Sequence, residues 1–169
     1  MRRLLVRMWA VLGAALLCAA LPVTPAAPAG AADSPIGRLG DTLRGSYMNF
    51  VADVTVHDIA PAPIPPGFGY PPRPPREQVW RATVTVHPVR VPNPYLLSTV
   101  FVFRGNTPTG DSYEPRNTDA PDDLRVLLLN APAGSTVTGG VWWDCYRDLV
   151  SNVVLIDRLT GTHLAQWNV

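Results

Sequence analysis

No lysine occurs in the 169 residues, and cysteine occurs only twice, at Cys18 and Cys145. Every positive side chain is therefore an arginine, and the glycine-bearing stretch "GNTPTGD" (residues 105–111) lacks both the lysine and the strand-to-helix setting of a phosphate cradle. It reads as a hairpin loop. No segment repeats apolar residues at helical spacing for long enough to indicate a helix, and no internal repeat is present. The chain has no G-x-S-x-G elbow, so Ser98, Ser112, Ser135 and Ser151 are serines without a triad signature. The three histidines, His57, His87 and His163, form no i, i+2 or i, i+4 ligand pair; they read as solvated residues where strands end. Asp119, Asp122 and Asp123 cluster without the alternating oxygen ligands and turn glycine of a calcium loop, which predicts a solvated acidic turn capping a short helix.

What is present at the N-terminus is an export pattern. Arg2, Arg3 and Arg7 precede an apolar run from Met8 to Leu21, and Ala29 and Ala31 follow in an A-x-A arrangement. The run is too short to span a bilayer comfortably and is followed at once by prolines. The reading is a cleaved signal peptide, residues 1–32, and a mature domain, residues 33–169, that is secreted and not stably inserted in a membrane. A lipid anchor at Cys18 is disfavoured by the bulky Leu17 before it. Cleavage removes Cys18 and leaves Cys145 alone, so no intrachain disulfide forms. It also leaves eleven arginines against thirteen carboxylates, a formal charge of −2 with no basic surplus for nucleic acid.

The mature chain alternates as strands do. In "YMNFVADVTVHDI" (47–59), Phe50, Ala52, Val54 and Val56 share one face; in "QVWRATVTVHPV" (78–89), Trp80, Ala82, Val84 and Val86 do the same. "LLSTVFVF" (96–103), "LRVLLLN" (124–130), "STVTGGVWWDCY" (135–146), "NVVLID" (152–157) and "THLAQW" (162–167) are further strands, and "IGRLGDTL" offers an edge strand or turn. In "LLSTVFVF" both faces are apolar, so its inward side stays open. Such spacing predicts an all-β fold, an antiparallel sandwich of about seven to nine strands in one domain. The proline-rich segment 60–77, "APAPIPPGFGYPPRPPRE", lacks backbone donors and is expected to be an extended, stiff loop outside any sheet.

Within "VWWDCY" (141–146), Val141, Trp143 and Cys145 fall on one face, and Asp144 marks the other, with Trp142 and Tyr146, as the wetter. Cys145 is then a buried, inert thiol; an intermolecular disulfide or a reactive cysteine are the alternatives. Trp142 and Tyr146 with Arg147, and Phe68 and Tyr70 with Arg73 in the proline-rich loop, are the side chains suited to contact a partner. Covering of Trp142 by a loop or strand is the competing expectation.

Taken in order, "GRLGDTL", "VADVTV", "GYP" ahead of "QVWRATVTVHPVR", "TGDSYEP", "STVTGGVWWD" and the C-terminal tryptophan resemble the small secreted immunogenic proteins of mycobacteria, the immunoprotective extracellular protein family, across nearly all of residues 36–168. The resemblance implies an immunoglobulin-like antiparallel β-sandwich from an actinobacterial source, exported and non-enzymatic, with no catalytic residues to carry over. The proline-rich loop and the region 114–129 are longer here than the family pattern, so surfaces built from them need not be shared. The expected function is that of a secreted binding or host-interaction module for a protein or envelope molecule, without cofactor or metal. The alternatives are a secreted hydrolase with a dispersed site and a structural envelope component.

Overall fold

A computed structural model describes residues 34–69, 71–147 and 149–169; the signal-peptide expectation and Tyr70 lie outside them. Two five-stranded sheets face each other. The first has the order β1 (Ile36–Arg38), β10 (His163–Asn168), β9 (Asn152–Asp157), β5 (Phe101–Asn106), β6 (Ser112–Tyr113). The second runs β2 (Thr42–Tyr47), β3 (Phe50–Pro61), β4 (Gln78–Arg90), β8 (Val137–Cys145), β7 (Pro115–Arg116). All neighbours are antiparallel except β1, which pairs with β10 in parallel. The orders β3-β4-β8-β7 and β10-β9-β5 reproduce the A-B-E-D and G-F-C sheets of an immunoglobulin domain, with β1, β2 and β6 added at the edges. The all-β sandwich is therefore the observed architecture.

Alternation builds the core as expected. Ala52, Val54 and Val56 of β3 and Ala82, Val84 and Val86 of β4 are fully buried between the sheets. Opposite them, Phe101 and Phe103 settle the open question of β5 by pointing inward, while Val102 joins Val154 and Ile156 on the far face. An immunoglobulin domain pins its sheets with a disulfide against a tryptophan. Here two fully buried tryptophans span the interior instead. The Trp143 indole Nε1–H donates to the Phe103 carbonyl at 3.0 Å, tying β8 to β5, and Trp167 Nε1–H donates to the Asp41 carbonyl at 2.9 Å.

Several expectations are corrected. "LLSTVFVF" is a strand only from Phe101; before it, a 3₁₀ turn (Pro94–Leu96) runs into a one-turn helix, α1 (Leu97–Val100). Asn93 accepts a hydrogen bond from the Tyr95 amide at 3.1 Å, and Pro94 is preset for the first helical position, so the cap overrides the apolar run. "LRVLLLN" is not a strand either: it carries α2 (Leu124–Leu127), capped by Asp123, whose carboxylate accepts from the Arg125 amide at 2.9 Å. The acidic turn does cap a short helix, as read. Asp123, however, is buried and also accepts from Thr118, whereas a solvated turn was expected.

The histidines do not sit at strand ends, because β3 and β4 continue past them. His57 occupies a bulge in β3 and hydrogen-bonds Thr85 Oγ1 at 2.8 Å, and His87 meets Thr136 Oγ1 at 3.3 Å; only His163 opens a strand. The proline-rich segment enters the sheet further than expected. Ala60 and Pro61 still pair with Arg81 and Trp80, at the margin of β3 where a missing donor is tolerated. A hairpin between β2 and β3, closed by Met48 at φ 50°, had no glycine to announce it.

Candidate interaction surface

Residues 62–69 and 71–77 lead from β3 back over the outer face of β8 to β4. Two backbone hydrogen bonds fasten this loop to the segment before α2: Gly69 N–H to the Asn117 carbonyl at 2.8 Å and Asp119 N–H to the Pro66 carbonyl at 2.7 Å. Gly67, at φ 63°, turns where a Cβ would collide with the Asp119 carboxylate. The loop is thus a fitted lid on the sheet.

This lid overturns part of the sequence reading. Phe68 is 3% exposed and Trp142 4%; they pack with Val79 and Ala120 as a small second core. Arg81 stacks over the Trp142 ring at 5.2 Å and ion-pairs with Asp122 at 2.7 Å, closing the indole in. Neither aromatic is offered to a partner. Alternation alone places Trp142 on the outer face of β8, but the loop decides whether that face meets water. Asp144, taken as the sign of the wet face, is buried for the same reason.

The structure does gather the remaining described candidates. Asp144 accepts the Arg76 amide N–H at 2.7 Å and receives the guanidinium groups of Arg116 at 3.4 Å and Arg73 at 3.8 Å. A buried carboxylate holds its charge only when donors replace the lost water, and here one carboxylate organises three segments. Beside it Tyr146, 38% exposed, meets Tyr113 edge-on at 5.5 Å. The guanidinium groups of Arg76 and Arg147 stack on its ring at 4.7 and 5.5 Å. Arg147 also reaches Asp111 at 3.4 Å. Two guanidinium groups thus stack on one partly exposed tyrosine, while those of Arg73 and Arg116 reach the adjoining buried Asp144. Arg76, Arg116 and Asp144 were not among the sequence-derived contact candidates, although the "PRPPRE" tract set Arg76 three residues from Arg73.

Cys145 sits beneath this surface at 2% exposure, and burial followed by the neighbouring Asp144 charge pushes its thiol up to about 12. It is a packed, protonated thiol, as read. Among the described residues no group of three metal-ligating side chains converges. None of the described histidines lines the cavity of about 190 Å³ that opens between β5, β7, β8 and α2.

No family model matches the chain, and no curated protein matches it in sequence. Among solved structures, the fold is similar to that of MPT63, a secreted protein from Mycobacterium tuberculosis, with a TM-score of 0.61 and 24% identity over 82% of this chain and 99% of that one. A second similarity, TM-score 0.42 and 7% identity over 76% of this chain and 92% of the other, is to "a putative lipoprotein from Staphylococcus aureus subsp. aureus NCTC 8325". The first is a likeness of fold.

Proposed function

We propose that the protein is an exported, non-enzymatic binding module that contacts an acidic partner in the cell envelope or on a host surface through the arginine-stacked Tyr146. Export rests on the N-terminal pattern, and it accords with the fold neighbour being a secreted protein. The observation that carries the binding reading is the stacking of Arg76 and Arg147 on a half-exposed tyrosine, beside a loop whose Phe68 is packed away. Tyrosine and arginine supply most of the energy at protein contacts, and a rigid base lowers the entropy lost on binding. Arg76 has no carboxylate partner among the described residues, so its guanidinium is available to negative charge, and Arg147 would exchange its exposed contact with Asp111 for one with the partner.

Affinity capture from culture supernatant and envelope extracts tests this, comparing the native protein with an Arg76→Gln/Arg147→Gln variant. The Arg76 amide, which holds Asp144, survives that change. Captured material should be lost from the variant and weakened on the native protein by raised salt. Equal capture by both would remove this surface from consideration.

A further inference from the structure

The cavity between β5, β7, β8 and α2 adjoins the surface just described through Arg116, and its lining is chemically divided. Buried Phe101, Leu124, Leu128 and Val141 supply an apolar wall, while Arg125 and Arg158 line the same space and are exposed to solvent. Neither arginine has a carboxylate partner among the described residues. Ser98 also lines the cavity at only 9% exposure, and its hydroxyl has no hydrogen-bond partner among the described residues. That is unusual in a helical turn, where a serine hydroxyl commonly bonds back to the preceding carbonyls. Asp123, the one acidic group in the lining, is already engaged by the Thr118 amide, the Thr118 hydroxyl and the Arg125 amide. Its oxygens are therefore occupied. In and beyond α2, Val126, Leu127 and Leu129 are exposed, and Leu159 next to Arg158 is 76% exposed, so each lining arginine has exposed apolar neighbours in the chain.

We propose that this cavity binds a small amphipathic carboxylate, an aryl or short alkyl acid, with its apolar body against Phe101, Leu124, Leu128 and Val141 and its carboxylate on Ser98, Arg125 and Arg158. The volume of about 190 Å³ matches that body: an apolar cavity of roughly 150 Å³ accepts a benzene ring. The planar guanidinium fork suits a carboxylate, and the apolar wall rejects a bare inorganic anion. The Ser98 hydroxyl, with no protein partner among the described residues, can donate to the carboxylate.

Calorimetric titration of the purified protein with benzoate and hexanoate, against benzyl alcohol, hexanol and inorganic phosphate, tests the assignment. Saturable binding of a carboxylate with a dissociation constant below about 1 mM is expected, with its matched alcohol and phosphate at least about tenfold weaker. Arg125→Gln/Arg158→Gln should erase the advantage over the alcohol, and Ser98→Ala should weaken the carboxylate about threefold or more, both at unchanged thermal midpoint because neither change breaks an existing contact. Three results would each overturn the proposal: no saturable binding of either acid, alcohols binding as tightly as acids, or acid binding unaltered in the double variant. Phosphate binding as tightly as the acids would equally overturn it, by reducing the site to a charge attraction.

Discussion

Single carboxylates hold this structure at points where charge is buried, and each makes a testable demand. Asp144→Ala would leave the Arg76 amide and two guanidinium groups without their acceptor, and should destabilise the protein by about 2–4 kcal/mol in urea titration. A change below about 0.5 kcal/mol would mean that water replaces the carboxylate at no cost. Asp157 is fully buried at the β9–β10 turn. Burial by itself would raise its carboxyl, but the Thr160 hydroxyl and the Leu159 and Thr160 amides donate to it, and together they hold it below the ordinary carboxylate range. Its folded value is depressed, so its contribution is complete above the unfolded value near about 3.9 and is lost as pH falls through the folded one. Stability measured from pH 6 downward should fall more steeply below about pH 4 in the native protein than in Asp157→Asn. Parallel curves would deny Asp157 that role. Neither buried role was legible in the sequence: Asp144 in "VWWDCY" read as the sign of a wet face, and Asp157 in "NVVLID" resembles any polar end of an apolar run.

At the scale of elements, two glycines in β8 explain how α2 reaches the sheet. A Cβ at Gly139 would stand 2.7 Å from the Asp122 carbonyl and 2.9 Å from the Leu124 Cα, both backbone atoms that cannot swing aside. The Gly140 amide completes the seat by donating to the Asp122 carbonyl at 2.7 Å. Gly139→Ala should therefore cost about 1–3 kcal/mol and raise amide exchange across α2 and residues 117–123 more than in β9. Uniform exchange would place the strain elsewhere. The proline-rich loop behaves as a packed element too: Phe68→Ala opens the small core over Trp142 and should cost about 3 kcal/mol in chemical unfolding, where an exposed contact residue would cost almost nothing. Strands β3 and β4 were readable because their period of two survives in the finished fold, and β8, β9 and β10 because short runs rich in apolar residues are bounded by turn residues. The helices α1 and α2 were not, since each is one turn long, too short for a helical period, and is set by a cap residue whose effect depends on the chain around it.

For the whole molecule, burial of Cys145 turns a chemical probe into a measure of global stability. Its thiol is raised to about 12 by burial and then by Asp144, and it sits inside the inter-sheet core, so maleimide labelling should follow complete unfolding and slow by the native-state protection factor. Rapid labelling of native protein would contradict this placement. The alternation of side chains along β3 and β4, with the evenly spaced short runs that became β8, β9 and β10, was enough to indicate an all-β sandwich, because a period of two assigns a strand its face before any partner is known. Which outer faces stay wet was decided only in three dimensions. The loop that buries Phe68 and Trp142, the arginines that converge on Asp144 and Tyr146, and the cavity shared by Ser98, Arg125 and Arg158 all join residues distant in sequence. Local pattern carries no record of such meetings, because they depend on how the connections between strands drape across the finished sheets.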